Sequence, residues 1–178
     1  MRGGGGVLYL SGPTICELVD EEEHRLIASR IGPDPLTDIG DEAAVAHIGE
    51  FMSRRTSPVA AALLDQSVIA GIGNVYRSEI LFLTGINPLI PSSELEEEQI
   101  GALWSEARRH LQIGERSGRI VTTEPRDVGA ERRSDIGRGE RTYVYKRQGQ
   151  PCRRCGTAIQ RDVVANRKVW MCPNCQPT

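Results

Sequence analysis

The sequence predicts a mainly α-helical chain that ends in a small four-cysteine β-ribbon. Three observations carry this. Two Cys-x-x-Cys pairs, Cys152/Cys155 and Cys172/Cys175, stand 16 residues apart near the end of the 178-residue chain. Apolar residues recur at helical spacing between Asp20 and Leu111, punctuated by glycine and proline. Charge is divided unevenly: residues 126–178 carry 12 Lys/Arg against 5 Asp/Glu, and residues 1–125 carry 10 against 19.

Two thiolates separated by two residues grip a metal ion from one tight turn, and two such turns close a tetrahedron around Zn²⁺. Gly156 after the first pair, and Pro173 and Asn174 inside the second, suit that turn. Four cysteines leave no open coordination position, so one structural Zn²⁺ is expected, folding the tail and doing no chemistry. The alternative is a redox dithiol or a disulfide pair, but a thioredoxin-type motif expects one Cys-x-x-Cys in a βαβ context. Cys16, in an apolar-periodic stretch, reads as a buried core thiol. There is no 18-residue apolar run and no signal-peptide pattern, so a cytoplasmic protein without a membrane partner is expected. A basic tail suits a phosphate-backbone binder, with a solvated basic surface as the plain alternative.

In chain order, Met1–Gly6 contains four successive glycines and reads as a tail. Val7–Leu10 has strand character without an obvious partner. Asp20 and Glu23 form a capping-box signal before Leu26, Ile27 and Ile31, and Gly32-Pro33-Asp34-Pro35 ends that helix. A second helix is predicted over 41–54, with Val45, Ile48 and Met52 inward. A third, apolar on nearly every side, is predicted over 59–69. After the turn Ala70-Gly71-Ile72-Gly73, a helix over 75–83 follows with Asn74 as its N-cap. Its free N–H groups and positive dipole end could hold one phosphate, although glycines also permit a plain tight corner. Ser93 and Glu96 are predicted to open the longest helix, with Leu95, Ile100, Leu103, Trp104, Ala107 and Leu111 inward. Residues 120–141, rich in Gly, Arg, Asp and Glu, read as a mobile linker, and 142–145 as a strand. Residues 157–163 and 168–171 should form a ribbon with Ala165-Asn166-Arg167 at its tip.

Leu64-Asp-Gln-Ser-Val-Ile-Ala-Gly-Ile-Gly-Asn-Val-Tyr-Arg-Ser-Glu79, followed by Gly85-Ile-Asn-Pro88, resembles the helix-two-turn-helix motif of the formamidopyrimidine-DNA glycosylase and endonuclease VIII family. The stretches 145–152 and 166–172 resemble that family's zinc finger. The resemblance runs from about Leu10 to the end. It implies base-excision repair, in which a glycosylase removes an oxidised base and an AP lyase cuts the strand. It further implies that Asn74 holds a phosphate beside the lesion. Arg167 would clamp the lesion phosphates and assist the final elimination, and Arg55 would be a further DNA contact. The partner would be double-stranded DNA carrying an oxidised base or an abasic site, and the protein a monomer.

In that family the nucleophile is an N-terminal proline followed by glutamate, on a β-sandwich domain. Here the chain begins Met1-Arg2-Gly3. The expected organisation is therefore a remnant strand of a missing β-sandwich (1–12), a helix-two-turn-helix domain (13–120), a linker (121–141) and a zinc ribbon (142–178). Such a chain should bind damaged DNA without excising bases. The rival readings are a non-catalytic zinc-ribbon DNA-binding module and a protein-interaction module, the latter allowed by the acidic first 125 residues.

Overall fold

The computed structural model describes residues 2–3, 6–7, 16–37 and 40–178, with backbone alone for the first four. It divides into two units, 1–30 and 31–178. In the first, β1 (Arg2–Gly3) pairs antiparallel with β2 (Gly6–Val7). The glycine-rich start, read as a tail, thus supplies the partner that Val7 lacked; positions 8–10 lie outside the described residues. Helix α1 (Glu21–Ala28) opens with the predicted box: Glu23 N–H donates to Asp20 Oδ1 at 2.8 Å and Asp20 N–H to Glu23 Oε2 at 3.1 Å. It buries no residue, leaving Leu26 and Ile27 about half exposed. Cys16, expected in a core, is exposed, and no residue of α1 is buried beside it in sequence.

The second unit is built on four helices: α2 (Asp41–Ser53), α3 (Val59–Ala62), α4 (Asn74–Leu83) and α5 (Glu97–Ser117). Ala44, Ile48 and Met52 of α2 meet Ile100, Leu103, Trp104 and Ala107 of α5 in one core, with Val59, Val68, Ile69, Ile80 and Leu81. Burial of each such large side chain contributes about 1.5–3 kcal/mol. Asp41 pins the two long helices polar-side too, accepting from Trp104 Nε1 at 2.7 Å and Arg108 Nη1 at 2.6 Å.

The predicted helix over 59–69 is buried as expected but stops after one turn. Asp65 Oδ1 accepts from the N–H and hydroxyl of Ser67, at 2.9 and 2.6 Å, which bends the chain away. Gln66 then folds across the next turn, accepting from Gly71 N–H at 2.9 Å and donating to Ile72 O at 3.1 Å. Gly71 takes φ +78° there, a left-handed conformation that glycine adopts without strain. The longest helix begins three residues later than predicted, because Glu96 takes the N-cap place expected of Ser93, with Gln99 Oε1 accepting from Glu96 N–H at 3.0 Å, while Ser92–Glu94 forms a separate 3₁₀ turn.

The largest departures lie after α5. Residues 121–141 are packed, not loose: Val121, Thr122, Thr123 and Ile136 are buried, and Arg133 Nη1 donates to the carbonyls of Val121 and Thr123 at 3.2 and 2.9 Å. Arginines that looked solvating in composition satisfy backbone carbonyls instead. Residues 142–145 form no strand. They bend around the carboxylate of Glu79. Strands β3 (Gln160–Val164) and β4 (Arg167–Met171) do form the antiparallel ribbon. Its two-residue turn, Ala165-Asn166, has φ of +51° and +58°, the left-handed pair that matches strand twist. Arg167, placed in the turn from sequence, opens β4 opposite Val164.

Candidate nucleic-acid interface and metal centre

The metal centre builds itself from two turns. Gly156 takes φ +78° after the first pair, and its N–H donates to Cys152 O at 2.9 Å. At the second, Gln176 N–H donates to Cys172 O and Cys172 N–H to Gln176 Oε1, both at 2.9 Å. The four sulfurs lie within 4.8 Å of one another, with Cys152–Cys175 at 3.9 Å and Cys155–Cys172 at 3.4 Å. A regular tetrahedron with Zn–S of about 2.3 Å needs edges of about 3.8 Å, so the donor set fits one zinc. Burial pushes the Cys172 and Cys175 thiols up, as expected for crowded sulfurs that need a cation to ionise together. One structural zinc closes this module, and Cys16 lies in the other unit.

Helix α4 carries the module on its polar residues. Arg77, Ser78 and Glu79 are completely buried and consecutive, and each reaches the ribbon half of the unit. Arg77 Nη2 donates to Lys168 O at 2.9 Å; Ser78 Oγ accepts from Trp170 N–H at 3.4 Å. Glu79 accepts four bonds: Oε1 from Val144 and Tyr145 N–H at 2.9 and 2.7 Å, Oε2 from Tyr143 N–H at 2.7 Å and the Thr122 hydroxyl at 2.5 Å. Three successive N–H groups converging on a carboxylate cannot also join a ladder, which is why no strand forms at 142–145. Phe82 stacks on Tyr143 at 5.0 Å, with the Arg154 guanidinium 4.8 Å above Phe82. Burial and the Asp127 hydrogen bond push the Tyr143 phenol up to about 12, so it remains a neutral donor.

Asn74 is the first residue of α4; Gly73, not Asn74, is the N-cap, and no side chain caps this end. The N–H groups of the first turn have no helical acceptor and face a half-exposed surface. Asn74 Oδ1 instead accepts from Arg77 Nη2 at 2.5 Å. The same nitrogen lies 3.5 Å from Arg167 O, so Arg77 ties the helix N-terminus to the base of the ribbon hairpin. Two residues singled out from distant parts of the chain are thus brought together through a third.

The electrostatics favour an anion there. Burial, then the nearby positive charge of Arg167, push Arg77 down to about 10, and it remains a cation at neutral pH. Its Nε has no hydrogen-bond partner. The exposed Arg167 side chain makes no ion pair among the described residues. Arg55 sits differently: Nη1 pairs with Asp65 Oδ2 at 2.8 Å and the guanidinium lies 5.6 Å from the Phe51 ring. Arg77 was missed as a site residue from sequence. The available signal was the run Arg-Ser-Glu inside a helix flanked by Tyr76 and Ile80, where no face remains for solvent.

Two parts of the chain match known domain families. Residues 31–125 match the formamidopyrimidine-DNA glycosylase H2TH domain, and residues 149–178 the zinc finger found in Fpg and isoleucyl-tRNA synthetase. Endonuclease 8 1 of Mycobacterium tuberculosis is 41% identical over 169 residues, covering 94% of this chain and 61% of that protein. The formamidopyrimidine-DNA glycosylase of Chloroflexus aggregans is 44% identical over 145 residues, covering 82% of this chain and 50% of that protein. Among solved structures, MutM (Fpg) from Thermus thermophilus superposes with a TM-score of 0.68 at 31% identity, covering 88% of this chain and 57% of that one. The Lactococcus lactis Fpg in complex with FAPY-dG containing DNA gives 0.69 at 28% identity, over 89% and 55%. The chain thus spans half to three-fifths of the length of these relatives. The domain match covers more than half of the chain, and its helices are those that carry Asn74 and Arg77: the chain belongs to the formamidopyrimidine-DNA glycosylase H2TH family.

Proposed function

We propose that this chain is the damaged-DNA-binding part of a base-excision-repair glycosylase and AP lyase that acts on oxidised bases and abasic sites. The observation that supports it best is the meeting of the uncapped α4 N-terminus with Arg167 of the zinc ribbon, through the buried Arg77. A phosphate seated there accepts from backbone N–H groups and from the Asn74 amide, while the Arg167 guanidinium forks onto its oxygens. Arg77 acts through the others: it fixes the Asn74 rotamer, leaving the amide nitrogen outward, and holds the hairpin in register. Zinc enters only as the clamp that keeps the ribbon folded. Arg55 is a flanking backbone contact, weakened by the Asp65 charge beside it. Arg167 also assists elimination at the lesion sugar by holding the departing phosphate. The partner is duplex DNA, bound by a monomer.

Titrating the zinc-loaded chain with labelled duplex carrying an abasic-site analogue tests this. Asn74→Ala and Arg167→Ala should each weaken binding about equally across sequences and lower the salt slope by about one. Unchanged affinity in both variants overturns the proposal, and salt-independent binding points to a protein-interaction module instead.

A further inference from the structure

Helices α2 and α5 meet along one core, and beside it they leave an open groove of about 640 Å³. Its α2 wall runs through Glu42, Val45 and Gly49, and its α5 wall through Glu97, Gly101 and Trp104, one face of each helix at helical spacing. None of its lining belongs to α4 or to the zinc ribbon. The groove owes its depth to two absent side chains. A Cβ at Gly101 would meet nothing within 4 Å, and one at Gly49 only Ile100 Cδ1, at 3.7 Å. Both glycines lie inside helices without a positive φ, where alanine is more stable, so nothing within the fold calls for them.

The charge of the groove is of one sign. Every ionisable side chain in the lining is a carboxylate. Asp41 is bonded to Arg108 at 2.6 Å, whereas Glu42 and Glu97 make no ion pair among the described residues. Glu96 and Glu98, both exposed, flank Glu97 and extend the negative rim. An apolar floor inside an acidic rim repels a phosphate backbone and attracts an apolar segment flanked by cations. The backbones of α2 and α5 are bonded within their own helices, so an extended segment would find no ladder to join, while a helix brings its own hydrogen bonds. From Glu42 to Gly49 the wall is about 10 Å long at 1.5 Å per residue, the length of two helical turns.

We propose that this groove docks a cationic amphipathic helix of a partner protein, its apolar residues at i, i+3 or i+4 and i+7 on the floor and its Lys or Arg side chains against Glu42 and Glu97. The inference stands apart from the DNA-binding reading, and its test needs no nucleic acid.

The probe is a stapled helical peptide with Leu at i, i+3 and i+7 and Lys at the flanking positions, titrated into the isotope-labelled, zinc-loaded chain while amide shifts are followed. A peptide with Glu at the flanking positions is the control. The Lys peptide should move the amides of Val45, Gly49, Gly101 and Trp104, and the Glu peptide should bind about tenfold more weakly. Gly101→Leu fills the groove with a better helix former, so it should melt no lower than the parent and lose the peptide. Glu42→Lys combined with Glu97→Lys should weaken binding about tenfold. If Gly101→Leu melts lower, this exposed double variant decides. No saturable shift up to about 1 mM peptide overturns the inference, as does binding that survives Gly101→Leu or that is equal for the two peptides. Concentration-dependent shifts of the same amides without peptide overturn it too, and give the groove to a second copy of the chain.

Discussion

Glu79 is the residue on which the joint between helix and ribbon depends most, and Glu79→Gln measures it. The substitution keeps size and shape and removes the charge. The new amide can place its oxygen toward the N–H groups of Val144 and Tyr145, but its NH₂ then faces Tyr143 N–H and Thr122. The threonine hydroxyl can rotate and accept; the backbone N–H cannot. Hydrogen bonds to charged groups contribute about 1.5–3 kcal/mol each, and a buried unsatisfied donor costs about 1–3 kcal/mol. Two bonds weakened and one donor orphaned give an expected loss of about 3 kcal/mol, before any relaxation of the loop. Burial and Arg153 already depress Arg147, and Glu79, followed by Cys152, opposes them, so the loss also reaches that guanidinium. Urea unfolding of the zinc-loaded protein, followed by ellipticity and by zinc release to a chromogenic dye, is the assay. The expected result is a lower midpoint, with zinc released earlier in the titration than in the parent. A stability change within about 0.5 kcal/mol would mean that the carboxylate is interchangeable with an amide, and the account of the joint would be wrong.

Metal analysis should find one zinc per chain, retained in Cys16→Ser and lost in Cys172→Ser. Chelation, which removes on the order of 10 kcal/mol of folding free energy, should unfold the ribbon while α2 and α5 keep their helicity. At Glu124, burial raises the carboxyl but Arg133 and Arg109 outweigh it, so its pKa is lowered below the ordinary 4.5. Its folded value is the lower one, so its contribution is present above about pH 4.5 and lost as pH falls through the folded pKa. Glu124→Gln should therefore flatten the acid limb of a stability-versus-pH curve, and an unchanged slope below about pH 4.5 counts against the pairing. Ala165, left-handed at φ +51°, is strained in its hairpin turn, and Ala165→Asn should raise the ribbon's stability by about 1 kcal/mol in a melting experiment.

The sequence by itself determined the parts whose chemistry is local. Cys-x-x-Cys spacing specifies a tetrahedral thiolate site wherever the chain runs, because two residues fix the reach of each turn. The Asp20–Glu23 box and the apolar periods of α2 and α5 likewise needed only neighbours three and four residues away. Tertiary structure decided what depends on distant partners. Arg77, Ser78 and Glu79 look like an ordinary polar patch until Lys168, Trp170 and Tyr143 close over them. Residues 121–141 have a solvating composition, yet Arg133 spends its donors on buried carbonyls that no local pattern announces. Cys16 and α1 went the other way, apolar in pattern but exposed, because a period describes a face and only a packing partner can bury it.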